Sequence, residues 1–269
     1  MCKTLLSLTA LFSLLVSCRS EVPEQKDTEP KGAAKASVPE PRNIPYKIVA
    51  TTPHDPAAFT QGLLLHEGLY YESTGGYGSS TLRQVEPKSG KVLKRHNLPA
   101  SIFGEGLALR GGRLYQLSWQ SGQGFIYDRE SFKHLGNFRY QGEGWGLTWD
   151  GEHFILSDGS AFLRFLDPET FALMRSVKVR NHIAPVDDLN ELEFVEGKVF
   201  ANRWHTDEVL VINPASGLIE ATLDLSDLER PRPRNQEAVL NGIAYDPKTR
   251  LLHVTGKLWP QIYTLQMAE

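Results

Sequence analysis

Glu105 stands between Gly104 and Gly106, and four other residues recur in the same local setting: Gln61, Trp145, Asn190 and Asn241. A carboxyl group held between glycines on an inner strand is partly desolvated, which raises its pKa and suits it to proton transfer. The amides of Gln61, Asn190 and Asn241 can give and accept hydrogen bonds, and the Trp145 indole can wall off water. None of the five is aliphatic, whereas a purely structural ring favours small or aliphatic packing groups. Counting 13 to 16 positions onward reaches Thr74, Trp119, Asp158, Trp204 and Lys257. Together the two sets describe a slot with aromatic walls, one carboxyl at Glu105 and polar groups able to hold an amide. Taken singly the residues are less telling. A tryptophan usually packs in a core, and a lysine at a strand end is usually solvated.

Such residues converge only if a repeated element places them, and the sequence contains one. Phe59-Thr-Gln-Gly-Leu, Phe103-Gly-Glu-Gly-Leu, Glu143-Gly-Trp-Gly-Leu, Asp188-Leu-Asn-Glu-Leu and Val239-Leu-Asn-Gly-Ile share a register at Gly62, Gly106, Gly146, Glu191 and Gly242, spaced by 44, 40, 45 and 51 residues. That period matches a four-stranded propeller blade. Within each unit a second run follows (Leu69-Tyr-Tyr, Leu114-Tyr-Gln-Leu, Phe154-Ile-Leu, Val199-Phe-Ala, Leu251-Leu-His-Val), then a third, such as Phe162-Leu-Arg-Phe-Leu or Val209-Leu-Val-Ile. These short β-branched and aromatic runs, bounded by Gly, Asp, Asn and Pro, read as strands. Glu86-Pro-Lys-Ser-Gly, Asp128-Arg-Glu-Ser-Phe, Asp167-Pro-Glu-Thr-Phe and Asn213-Pro-Ala-Ser-Gly supply hairpin turns before a fourth strand. The fifth unit ends after its third strand, and Tyr46-Lys-Ile-Val-Ala is expected to complete it. The predicted fold is all-β: a five-bladed β-propeller over residues 46–269, with an N-terminal strand closing the last blade and leaving no free edge.

Residues 1–17 carry Lys3 followed by an apolar stretch too short for a membrane span, the form of a secretory signal. Leu15-Val-Ser-Cys18 is similar to the lipobox of bacterial lipoproteins, with Cys18 as the lipidated residue; an ordinary cleaved signal is the alternative. Residues 18–45 have five prolines, many charges and an aromatic-free stretch from Arg19 to Pro45, and read as a disordered tether. The expectation is an exported, monomeric domain, lipid-anchored in the bacterial envelope, facing the periplasm or carried on the outer membrane. Cys2 and Cys18 are the only cysteines, so the domain has no disulfide. The formal charge of −3 becomes −4 once residues 1–17 are removed, which argues against nucleic acid as a partner.

Several chemistries lack their residues. There is no His-Glu-x-x-His, no Gly-x-Ser-x-Gly elbow, and Gly122-Gln-Gly-Phe lacks the rest of a phosphate loop. The histidines are scattered, and His182 with Asp187 and Asp188 reads as a solvated loop.

The set Phe59-Thr-Gln-Gly-Leu, Phe103-Gly-Glu-Gly-Leu, Leu189-Asn-Glu-Leu-Glu-Phe, Ala201-Asn-Arg-Trp, Leu240-Asn-Gly-Ile-Ala-Tyr and Val254-Thr-Gly-Lys-Leu-Trp resembles the plant and bacterial type of glutaminyl-peptide cyclotransferase, from Tyr46 to about Gln266. The resemblance implies a five-bladed propeller that turns N-terminal glutamine of peptides or proteins into pyroglutamate and releases ammonia. It implies Glu105 as the catalytic glutamate and Phe59, Gln61, Trp119, Trp145, Asn190, Trp204 and Lys257 as pocket residues, Phe59 resting on the resemblance alone. It also implies catalysis without a metal cofactor and leaves room for a structural calcium. Two other readings stay open. One is a non-catalytic propeller scaffold for envelope partners. The other is a calcium-dependent propeller hydrolase or lactonase, for which Glu105 and Asp158 are too few carboxylates among the ring positions.

Overall fold

The computed structural model describes residues 38–229 and 236–268. The signal sequence expected at residues 1–17, Cys18 and most of the expected tether lie outside the described residues. The described chain forms five sheets of four antiparallel strands, one of them with an extra two-residue edge. Blade one comprises Thr60–His66, Leu69–Thr74, Thr81–Val85 and Val92–Asn97; blade two, Gly104–Arg110, Arg113–Ser118, Gln123–Asp128 and His134–Arg139. Blade three comprises Leu147–Trp149, Phe154–Leu156, Phe162–Leu166 and Leu173–Lys178; blade four, Leu189–Val195, Lys198–Arg203, Glu208–Ile212 and Ile219–Asp224. Blade five takes Leu240–Asp246, Leu251–Gly256 and Gln261–Met267 from the end of the chain and Tyr46–Pro53 from its start. The register runs from Tyr46 opposite Met267 to Pro53 opposite Gln261, with a bulge between Ile48 and Ala50. The expected closure is therefore present and spans the full strand.

Each inner strand packs against the inner strand of the next blade, and the fifth against the first. The repeated glycine permits that approach. A Cβ on Gly62 would lie 2.6 Å from the Leu107 nitrogen, and one on Gly106 2.5 Å from the Leu147 nitrogen. Blade four carries Glu191 at the corresponding position. Its carboxylate accepts the Leu63 and Ile243 amides at 3.2 and 2.8 Å, so it bridges to blades one and five.

Apolar clusters fill the spaces between blades: Leu64, Leu82, Leu114 and Phe125 between blades one and two, for instance, and Phe200, Val209, Leu240 and Tyr263 between four and five. The cluster between blades five and one is smaller, with Leu63, Tyr70, Val85, Ala244 and Ile262. Polar groups share that seam. His54, just after the closing strand, meets the Trp259 carbonyl through Nδ1 at 2.7 Å and Glu72 through Nε2 at 2.9 Å.

Residues 42–44, expected to belong to the tether, are part of the fold. Arg42–Asn43 pairs in parallel with Ala221 and Thr222, the Ile44 amide donates to the Thr222 carbonyl at 2.8 Å, and the Ile44 side chain is buried in the core. An apolar side chain and an otherwise open strand edge explain why these residues before Tyr46 pack on blade four.

Candidate active site

The inner strands begin, and the second strands end, around one cavity of about 320 Å³. Phe59, Gln61, Glu105, Trp119, Trp145, Asn190, Trp204 and Lys257 all line it, together with Phe103 and Glu237. Its size is at the lower end of small-molecule sites.

Glu105 is buried, and Gln61 Nε2 donates to its Oε1 at 2.8 Å. Gln61 Oε1 in turn accepts from Asn241 Nδ2 at 3.1 Å, and the same Nδ2 reaches the Thr60 carbonyl at 2.9 Å. Asn241 is thus not a wall of the cavity; it fixes which end of the Gln61 amide faces Glu105. The main chain is held as well, with the Ser73 hydroxyl on the Glu105 carbonyl and Gln116 Nε2 on that hydroxyl at 2.7 Å. Burial pushes the Glu105 carboxyl well above the usual range, and nearby Glu143 adds to the rise, while Lys257 and the Gln61 bond pull the other way. Lys257, also buried, is lowered mainly by burial and partly restored by Glu105 and Glu237. Burial thus moves the carboxyl up and the amine down, which narrows the gap in proton affinity between the two groups.

Aromatic side chains form the walls. Phe59 meets Phe103 edge to face with ring centres 6.0 Å apart, Phe103 meets Trp119 at 5.7 Å, and Trp145 meets Trp204 at 5.5 Å. Lys257 Nζ lies 5.0 Å from the Phe59 ring centre and 6.0 Å from that of Trp204. Asn190 and Trp204 line the cavity, and Asn190 Oδ1 and Trp204 Nε1 are buried with no hydrogen-bond partner among the described residues.

Two members expected in the second ring do not face the cavity. Thr74 is buried against Thr81, hydroxyl to hydroxyl at 2.6 Å, and Asp158 pairs with Arg164 and caps the Ser160 amide at 3.1 Å. The cause is a slip of one residue. The amides of Gly75, Trp119, Trp204 and Lys257 bond back to Phe59, Phe103, Asp188 and Val239, so Gly75 rather than Thr74 is the equivalent of Trp119. On a strand such a slip turns the side chain to the other face. Gly75 and Gly159 leave room for wall aromatics: a Cβ would come within 2.2 Å of the Phe103 ring and 2.7 Å of the Trp145 ring, respectively.

Phe103 and Glu143 went unnoticed in the sequence although a signal existed. They stand two residues before Glu105 and Trp145, as Phe59 stands two before Gln61, and alternate strand residues share a face. Glu237 has no counterpart in the repeat. Among the described residues no group of three or more His, Cys, Asp or Glu is arranged to hold a metal ion. Larger clefts of about 680 and 580 Å³ lie elsewhere, but charged groups lining them are already paired, as Arg250 is with Glu196 at 3.1 Å and Arg164 with the Gln141 carbonyl at 2.6 Å.

The fold and cavity together define a propeller with one buried carboxyl group set among amides and indoles. Residues 18–267 match the model of the glutamine cyclotransferase family. The glutaminyl-peptide cyclotransferase of Arabidopsis thaliana is 40% identical over 228 residues, which cover 83% of this chain and 71% of that protein. The crystal structure of Myxococcus xanthus glutaminyl cyclase aligns with a TM-score of 0.78 at 39% identity, over 85% of this chain and 98% of that one. The chain belongs to the glutamine cyclotransferase family.

Proposed function

We infer that the protein is a glutaminyl-peptide cyclotransferase, with the cavity around Glu105 as its active site. The observation that carries the placement is the cavity itself, in which the buried Glu105 carboxyl stands among the Gln61 and Asn190 amides, the Lys257 amine and three indoles. In this reaction the substrate's α-nitrogen attacks its own γ-carbonyl carbon. A C–N bond forms in the new ring, the bond to the side-chain NH₂ breaks, and the proton lost by the amine leaves with that group as ammonia. Because the nucleophile belongs to the substrate, the protein needs only to hold a folded conformer, stabilise developing charge and move one proton. Glu105 accepts the amine proton and returns it to the departing nitrogen; burial raises the affinity of its carboxyl for a proton, which eases transfer from an amine. Gln61, Asn190, Trp204 and Lys257 hold the two carbonyls, and the indoles exclude water. In this scheme a metal has no step. Chelation should therefore leave most activity in place, and a fall in melting temperature alone would indicate a structural ion such as calcium.

The decisive assay is ammonia release from a Gln-initiated dipeptide, with an Asn-initiated dipeptide as control. No release by the folded protein would overturn the reading in favour of a scaffold. Export and lipid anchoring through Cys18 complete the proposal and rest on the residue pattern alone. Membrane-bound protein that becomes soluble on Cys18→Ser supports the anchor, and a soluble wild-type protein refutes it.

A further inference from the structure

The aromatic wall consists of two arms, Phe59–Phe103–Trp119 and Trp145–Trp204, and a charged side chain reaches both arms at each of two joints. Lys257 is one joint, lying over Phe59 and Trp204. Glu143 is the other. A single carboxylate oxygen, Oε2, accepts the indole N–H of Trp119 at 2.8 Å and that of Trp145 at 3.0 Å, while Oε1 accepts Gln120 Nε2 at 3.2 Å. The main chain ties the same loop down, since the Gly144 amide donates to the Trp119 carbonyl at 2.9 Å.

Resting on the cyclase reading, we propose that Glu143 is a positioning residue. By holding Trp119 and Trp145 on one oxygen, it fixes the separation of the two aromatic arms and hence the width of the slot that receives the folded glutamine side chain. An indole N–H needs a partner when its ring is partly buried, and a carboxylate makes a stronger bond than a neutral acceptor. Without that anchor each ring regains rotamer freedom, and cyclisation, which depends on a compact near-attack conformer, is sensitive to such looseness. Burial raises the Glu143 carboxyl, but the bonds from Trp145, Trp119 and Gln120 outweigh it and keep the group below the usual glutamate range. It therefore remains an anion wherever a peptide amine can react.

The chain has five tryptophans, so a ¹⁵N-labelled sample gives five indole resonances, assignable by single Trp→Phe substitutions. Glu143→Ala should move the Trp119 and Trp145 resonances and leave Trp149 and Trp259 in place. It should also lower kcat/KM on a Gln-initiated dipeptide by about tenfold or more, the scale of a small misplacement of reacting groups, at an unchanged melting temperature. Glu143→Gln retains a carbonyl oxygen that can accept both indoles, and should restore the resonances and most of the rate. The proposal is overturned if Glu143→Ala leaves both resonances unmoved, if it moves them without affecting kcat/KM, or if Glu143→Gln is as impaired as the alanine variant. Wild-type protein that releases no ammonia would overturn the cyclase reading and the positioning role with it. The resonances distinguish that failure from failure of the clamp, because they report the indole bonds without substrate.

Discussion

Glu72 and Glu105 are both buried glutamates on adjoining blades, and the surroundings give them opposite properties. Glu72 receives His54 Nε2 at 2.9 Å and the Thr60 hydroxyl at 2.7 Å, with Arg83 3.9 Å away. Burial raises its pKa, but His54 and Arg83 overcome that and hold it below the usual range. His54 is shifted the other way: burial lowers it, and Glu72 more than compensates. Its close partners are a carbonyl and a carboxylate, both acceptors, an arrangement that favours a proton on each ring nitrogen. Glu105 has one bond from a neutral amide, and its pKa is raised. Of these two, the carboxylate with charged partners holds the seam, and the carboxyl group without one among the described residues lines the cavity; lacking a charged partner is not sufficient for that role, since Glu191, held by backbone amides, bridges blades.

The largest effect expected from this contrast is on folding. His54→Ala leaves Glu72 without its main partner at the seam where the chain ends meet, and should cost roughly 3–5 kcal/mol in a denaturant titration. A loss below about 1 kcal/mol would mean that the seam is held by its apolar contacts alone.

Glu105→Gln should do the reverse. Turnover on Gln-initiated peptides should fall by about a hundredfold or more with KM little changed, because the shape stays and the proton carrier is lost. Stability at pH 7 should be kept or improved. A carboxyl whose folded pKa is raised binds more protons folded than unfolded, so ionising it as pH rises costs stability that a glutamine does not lose. Near-normal turnover would remove Glu105 from the mechanism.

A smaller effect separates the two sites by pH. Glu72 contributes fully above its unfolded pKa of about 4.5 and loses its contribution as pH falls through its lowered folded value. His54 contributes fully below about 6.5 and loses its contribution as pH rises through its raised folded value. The pair therefore stabilises most between these limits, and the His54→Ala penalty should shrink on either side of that window; a penalty constant with pH would show that the pair is not ionic. The activity profile should instead report Glu105, with an acid limb above the ordinary glutamate range. Lys257→Met should move that limb to still higher pH, since the cation that favours the carboxylate is gone. An unmoved limb would assign it to another group.

The sequence by itself determined the blade count, the strand order, the closing strand and most of the cavity wall. A repeat of fixed register forces equivalent residues onto one level around an axis, so Gln61, Glu105, Trp145 and Asn190 could be placed together without coordinates. Tertiary structure decided the rest. Thr74 pairs with Thr60 as Ser118 pairs with Gly104, so Thr74 stands one residue before the position that Trp119 holds and its side chain lies on the other face, leaving Gly75 at the cavity. Asn241 shares the register of Glu105 yet serves as a support, because the Gln61 amide lies against it. The roles of Glu143 and Glu72, unlike the position of Glu143 in the repeat, were decided by the fold for the same reason. A carboxylate's role is set by the donors that surround it, and folding decides which donors those are: the indoles of Trp119 and Trp145 for Glu143, and for Glu72 the imidazole of His54.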